Sequence, residues 1–410
     1  MKKTFIARNP SALWFLAALA IFTILVTVLS ESVGAGIIST SFLKTLGKTL
    51  CLCLVAIAMD VVWGYCGILS LGHFAFFGIG GYAIGMWLMY ARTEGIVVTS
   101  LQSNPLPSTP QEITDAIGTQ IFGVVGSSEF PALWAFSQSL PLQLLAVVLV
   151  PGLLALVFGW LAFRSRVTGV YLSILTQAMT LALSLYFFQN DTGLRGNNGL
   201  SGLQNIPGLE DRSQATVSLW FFWASAAALA MGYILFAYVV SGKFGSVIRA
   251  IRDNEARVRF LGYHVEHYKL FVFTITAMVA GIAGALYYPQ AGIINPAEIA
   301  PIASIYLAVW VAIGGRGRLY GAVIGATVVS LLSSWFTGGS APNINLGFYE
   351  IRWTDWWLVL LGVSFVLVTL FLPKGIGGLF DALVRKPDVD RQGDYGPDKG
   401  AWRDEEGAPE

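Results

Sequence analysis

Residues 11–30 read SALWFLAALAIFTILVTVLS, with no charge anywhere in the run. About 20 apolar residues is the length that crosses the hydrocarbon of a bilayer as a helix. The pattern recurs at 42–62, 67–90, 142–163, 167–188, 217–240, 270–289, 301–314, 319–336 and 355–372. Backbone polar groups find no water in hydrocarbon, so such spans have to be helical. An all-α integral membrane protein of about ten transmembrane helices is expected. Composition agrees: 12% of residues are charged, against about 25% in a soluble domain. Lys2, Lys3 and Arg8 precede the first run, which is longer than a signal-peptide core, so it reads as a retained first helix.

Counting Lys and Arg gives the orientation. With the N-terminus inside, sixteen fall in inner segments and six in outer ones, leaving three in the tail. The positive-inside rule then puts both termini in the cytoplasm. Residues 1–386 read as one transmembrane domain with an outer loop at 91–141 and a basic inner loop at 241–269. Residues 387–410 are polar and rich in Pro and Gly, which predicts a disordered tail.

The stretch GYCGILSLGHFAFFGIGGYAIG (64–85) is apolar yet rich in glycine. In lipid, glycine lets helix backbones approach closely. Gly81 and Gly85 share a face, and similar pairs occur at Gly281/Gly284 and Gly321/Gly325. Gly67 and Gly72 flank ILSL, which also reads as a break in the helix. Unwound backbone at membrane depth is tolerated where it lines a cavity or packs on protein. Within this stretch His73 is either a functional ionisable group or a neutral ring bonded to Ser70 or a carbonyl. Asp60 lies at the inner end of its span, where water can reach it. Cys51, Cys53 and Cys66 read as small buried hydrophobes.

No enzyme signature stands out, so no catalytic, cofactor-binding or metal-binding residues are expected. GKT at 47–49 lacks the preceding glycine of a phosphate loop, since Phe42 stands in its place. ATP would have to be hydrolysed by another chain. His264 and His267 read as solvated loop residues. A net charge of +1 implies no nucleic acid partner. The remaining candidate is the inner loop. Across 247–261 an amphipathic helix is expected, with Val247, Ile248, Ile251, Val258 and Leu261 on one side. Arg249, Arg252, Asp253, Glu255, Arg257 and Arg259 form the polar side, and Gly262 stops the helix. Such a helix docks into a groove of another protein or lies on anionic lipid.

DVVWGYCGILSLGHFAFFGIGGYAIG, IRAIRDNEARVRFLGYHVEHYKL and IYLAVWVAIGGRGRLYGAVIGA resemble the LivM-type permeases of branched-chain amino acid ABC importers. FGWLAFRSRVTGVYLSILTQAMT, FFQNDTGLRGNNGLSGL and AGALYYPQAGIINPAE are similar to its urea-importer branch, the UrtC-type permeases. The resemblance covers roughly residues 45–380. It implies a LivHM-type permease fold, a second LivH-like permease, two cytoplasmic ATPase subunits and a periplasmic solute-binding protein. It also implies that the 247–262 helix is the coupling helix, with Arg249, Arg252, Asp253, Glu255, Arg257 and Gly262 at the ATPase contact. The solute implied is urea; amino acids or short amides are the alternative, and a polytopic scaffold is the rival outside transport.

A small planar solute such as urea needs hydrogen-bond donors, acceptors and flat walls. Ser70, His73, Phe76, Phe77 and Tyr82 on one span, and Tyr171, Thr176 and Gln177 on another, are the expected path residues. No Arg, Lys, Asp or Glu reads as clearly intramembrane, which leans toward a neutral solute. NDTGLRGNNGLSGL (190–203) has the turn residues of a structured outer loop near the path mouth, or of a plain connector.

Overall fold

The computed structural model describes residues 10–31, 36–102, 110–123, 131, 134, 136–167, 169–338, 344–345, 350–372 and 375–378. The helices are α1 (Pro10–Leu29), α2 (Thr40–Asp60), α3 (His73–Gln102), α4 (Pro110–Phe122), α5 (Leu140–Arg164) and α6 (Val170–Phe188). They continue with α7 (Gln214–Ser241), α8 (Lys243–Asp253), α9 (Glu255–Phe260), α10 (Val265–Ala291), α11 (Pro301–Gly314), α12 (Leu319–Thr337) and α13 (Trp353–Phe371). Two-residue strands β1 (Leu200–Ser201) and β2 (Ile293–Ile294) pair antiparallel, as do β3 (Ile344–Asn345) and β4 (Glu350–Ile351). Ten of these helices overlap the ten expected spans. Eight are long and apolar enough to cross a membrane, while α11 and the apolar part of α13, Trp353–Val368, are shorter.

Burial ranks the spans. The window of α2 is 89% buried and that of α3 83%, whereas α1 is only 11% buried. The apolar residues of α2 run all the way round, the signature of a helix enclosed by others. Cys51 Sγ meets Ser225 Oγ of α7 at 3.2 Å, and Cys53 Sγ meets Thr327 Oγ1 of α12 at 3.2 Å, on opposite faces. All three cysteines are buried and free. At the periphery α1 leans on α7, where Phe15 stacks on Tyr233 at 3.9 Å and Trp223 Nε1 donates to Thr27 Oγ1 at 2.8 Å.

Glycine sets the α3–α10 contact. A Cβ on Gly80 would collide with the Gly281 carbonyl, and one on Gly284 with the Phe77 carbonyl. Gly81 seats the Tyr288 ring. The two backbones touch because neither carries a side chain there.

Three expectations need correction. The span placed at 67–90 begins as a helix only at His73, because Gly67, at φ +78°, turns the chain out of the preceding helix. The outer segment 91–141 is not simply a loop: α3 runs on to Gln102 and α4 begins at Pro110, a residue suited to a first helical turn. The single helix expected at 247–261 is two. Asn254, at φ −158°, breaks it and caps α9 by accepting from the Arg257 amide at 3.0 Å. The tail 387–410 and the basic residues Lys2, Lys3 and Arg8 lie outside the described residues.

Candidate functional site

The centre of interest is the junction between α2 and α3. After Asp60 the chain forms one π-turn, Val61–Tyr65, and Gly67 then takes φ +78°, where a side chain would also press on Arg252. Residues 68–72 run without helical bonding. Hydroxyls from neighbouring helices replace the missing ladder. Ser173 Oγ donates to the Leu69 carbonyl at 2.7 Å, and the Leu71 amide donates to Thr176 Oγ1 at 3.0 Å. Thr180 Oγ1 donates to the Leu71 carbonyl at 3.4 Å, and the Phe74 amide donates to Ser304 Oγ at 3.1 Å. Left unpaired, a fully buried backbone group such as the Phe74 amide would cost about 1–3 kcal/mol; those of Leu69 and Leu71 are half-buried.

His73 opens α3 in the same cluster. Its Nδ1 lies 3.1 Å from Ser70 Oγ and its Nε2 3.3 Å from Thr276 Oγ1, both within hydrogen bonding. The ring is fully buried, edge-on to Phe76 and Phe273. A neutral imidazole uses one nitrogen as donor and one as acceptor, so this ring is satisfied. Phe76 and Phe77 are fully buried in the aromatic packing beyond it. The structure thus brings together Ser70, His73, Thr176, Phe76 and Phe77, and adds Ser173, Thr180, Thr276 and Ser304. It does not bring in the others. Tyr171 is 78% exposed and points away, Gln177 is half-buried, and Tyr82 lies further along α3 against Phe187.

The basic loop braces this junction. Arg252 Nη1 donates to the Gly64 carbonyl at 2.7 Å, while its Nε donates to Asp253 Oδ1 at 2.9 Å. Asp60 is buried rather than wet, and its Oδ1 accepts from the Gly317 amide at 2.7 Å in the α11–α12 turn. Arg316 stacks over the Trp63 ring at 4.8 Å. Three segments of the chain, 60–67, α8 and 315–318, are therefore locked together at the basic end of the bundle.

The expected ATPase-facing side divides. Glu255 accepts from Arg259 Nη2 at 2.8 Å and from Lys269 Nζ at 2.6 Å, and Arg259 also reaches Glu266 at 3.0 Å. Glu255 is thus held within its own chain. Burial alone would raise its pKa, but the hydrogen bonds and charges of Lys269 and Arg259 hold it below the ordinary carboxylate value. Arg249 is half-buried beside Tyr65 and Tyr233; Asp253, Arg257 and Gly262 are exposed. Gly262 ends the α9 turn at φ +87°. Ile248, Ile251 and Val258 face inward as expected, but Leu261 is 72% exposed and the adjacent Phe260 92%. This apolar knob was missed; its signal was an apolar pair directly before the stopping glycine.

A second missed feature lies at the opposite end. Glu298 sits half-buried on the turn Pro296–Ile299 between α10 and α11, where Tyr288 Oη donates to it at 3.4 Å. Burial pushes its carboxyl above the ordinary value, against the opposing effects of Tyr288 and Lys48. This acid lies on a turn between spans, so it does not bear on the expectation that no charged residue is clearly intramembrane. Periodicity hid it, because Glu298 sits in a Pro-led turn rather than on a span. The loop 190–203 is structured, with 3₁₀ turns at Asn190–Thr192 and Gly196–Asn198 and Leu200 paired with Ile294. Among the described residues no group of three or more His, Cys, Asp or Glu could hold a metal ion.

Comparison with known proteins bears on this arrangement. Residues 41–369 match the family described as branched-chain amino acid transport system / permease component. The chain is 25% identical over 250 residues to the high-affinity branched-chain amino acid transport system permease protein LivM of Escherichia coli, covering 55% of this chain and 56% of that protein's length. It is 21% identical over 334 residues to the probable LivM permease of Methanocaldococcus jannaschii, covering 79% of this chain and 89% of the relative. A ribose import permease protein, RbsC of Haemophilus influenzae, is 23% identical over 214 residues, covering 48% of this chain and 62% of the relative. No solved structure matches the chain.

Proposed function

The chain belongs to the family of branched-chain amino acid transport system permease components, and from that premise we propose that it is the membrane-spanning subunit of a binding-protein-dependent ABC importer. It sits in a bacterial inner membrane with both termini cytoplasmic, where the α8–α9 end carries the basic residues. Its partners are a second LivH-like permease, two cytoplasmic ATPase subunits and a periplasmic solute-binding protein. The observation that carries this reading is the bond from Arg252 to the Gly64 carbonyl. It ties a surface helix pair, tipped by exposed Phe260 and Leu261, to the π-turn that leads into the unwound segment. A force applied to the knob reaches the break through one charge-assisted bond, with no ATPase needed in the chain itself.

The solute we assign is urea. The break is lined by the hydroxyls of Ser70, Ser173, Thr176 and Thr180, which brace its backbone and His73 and carry no formal charge, and a lining without charge suits a small neutral amide. Lys48 and Glu298 favour a second reading. They influence each other electrostatically across α2 and the α10–α11 turn, and would serve the carboxylate and ammonium of an amino acid. Uptake of labelled urea at low external concentration, in a strain lacking this gene and in the complemented strain, tests the first reading. Uptake lost and then restored is the expected result. Unchanged urea uptake with lost leucine uptake transfers the assignment to amino acids.

A further inference from the structure

The charge around the α8 end of the bundle is one-sided. A cleft of about 910 Å³ between α8, α13 and the α11–α12 turn is lined by Arg252, Arg316 and Arg318. A neighbouring cleft of about 500 Å³ shares Arg252 and Arg318 and adds Arg249. Arg252 and Arg316 are exposed, and Arg249 and Arg318 are half-buried. Among the described residues no Asp or Glu lines either cleft. The nearest acids are Asp253, paired with Arg252 at 2.9 Å, and Asp60, buried against the Gly317 amide. Two carboxylates offset at most half of four guanidinium charges. A cleft of one sign attracts and concentrates the opposite one.

The chain carries its own anionic segment to this place. Beyond α13, a Cβ on Gly375 would collide with the backbone of Gly315, the residue directly before Arg316, and one on Gly377 would press on the Gly314 carbonyl. The chain therefore passes the edge of the cleft at 375–377. Residues 387–410, outside the described residues, hold eight acidic and three basic side chains, a net charge of −5, with Asp404, Glu405 and Glu406 consecutive. From position 378 to Asp388 the chain spans at most about 35 Å. A tether that short presents its charges at an effective concentration of about millimolar. An acidic lipid headgroup is the competing occupant, because Phe365 and Leu372 of the peripheral α13 end line the same cleft. The tail is favoured because its charge is covalently held at the cleft edge.

We propose that the acidic tail, residues 387–410, docks on this arginine cleft, its carboxylates pairing with Arg316 and Arg318. The contact sets an anionic segment beside Arg252, which holds the Gly64 carbonyl. Exposed ion pairs of this kind are screened by salt, so high ionic strength releases the tail. The inference depends neither on the solute nor on the importer reading.

The test uses the full-length chain with its co-purifying partners in phosphatidylcholine nanodiscs. The three native cysteines are buried, so Gly400→Cys takes a nitroxide label alone. Its electron paramagnetic resonance spectrum separates held from free label. The label is held at about 50 mM salt and released at about 500 mM, where the screening length is about threefold shorter. Asp404→Asn/Glu405→Gln/Glu406→Gln leaves the helical bundle untouched and lowers the held-to-free ratio about fivefold, the scale of three lost surface ion pairs. Arg316→Gln/Arg318→Gln lowers it by a similar factor; if that variant does not assemble, Arg318→Gln alone takes its place. A label equally free in wild type and in both variants overturns the proposal. So does a label that stays held when the arginines are replaced, since another face or a partner subunit then holds the tail. A label held in phosphatidylcholine discs but free in phosphatidylglycerol discs at the same salt also overturns it and gives the cleft to the lipid headgroup.

Discussion

Arg252 and Gly64 are 188 residues apart, yet the guanidinium of one donates to the carbonyl of the other at 2.7 Å. Gly64 lies in the π-turn that ends the α2 span, and Arg252 in the last turn of α8. The bond makes a helix end and a surface helix one mechanical unit. Replacing Arg252 with Ala removes a charged hydrogen bond of about 1.5–3 kcal/mol. The expected outcome is about a tenfold loss of uptake with ATP hydrolysis and membrane insertion retained. Paired transport and ATPase assays on proteoliposomes check it.

Glu255 supports a pH prediction. Its folded pKa is held below the ordinary value by Lys269 and Arg259. A depressed carboxylate contributes stability that is fully present above its unfolded pKa and lost as pH falls through its folded one. Glu255→Gln should therefore lower the Tm near neutral pH, and the gap to wild type should close as pH falls below about 4. Thermal unfolding between about pH 7 and pH 3 measures the gap. A constant difference across that range would show that the Lys269 contact acts by packing alone.

Phe260 is 92% exposed, so Phe260→Ser should leave stability within about 0.5 kcal/mol. A central aromatic anchor in a protein interface is worth about 2 kcal/mol or more, which is more than tenfold in affinity. The expected outcome is an unchanged Tm with ATPase co-purification reduced more than tenfold. Undiminished co-purification would mean that the knob touches no partner.

The hydroxyl brace separates two residues of the same helix. Thr176→Val leaves the half-buried Leu71 amide without its acceptor and should cost about 1 kcal/mol. Tyr171→Ala, at a side chain 78% exposed, should change stability by less than about 0.5 kcal/mol. Unfolding in detergent ranks them, and equal losses would contradict the brace.

Gly81→Leu would drive a side chain into the Tyr288 ring at the α3–α10 contact. Overpacking there costs about 1–3 kcal/mol or more. Size-exclusion profiles should show loss of the assembled species, whereas Gly95→Leu, with open space around it, should assemble normally.

Much of this protein is legible in one dimension. The number and placement of the spans follow from runs of apolar residues, because hydrocarbon forces every backbone group to bond within its own segment. The glycine pairs announce close helix contacts, and Gly67 and Gly262 announce turns, because those positions adopt φ values that side chains resist. Ser70 and His73 are neighbours by sequence spacing alone. Other features required the folded chain. Nothing local says that Arg252 reaches Gly64, that Asp60 is buried against Gly317, or that Glu255 turns inward to Lys269 while Leu261 turns out. Periodicity assigns a residue to a face of its own helix, but which neighbour meets that face is set by packing between distant segments. A single capping side chain, Asn254, is enough to split a helix and reverse that assignment.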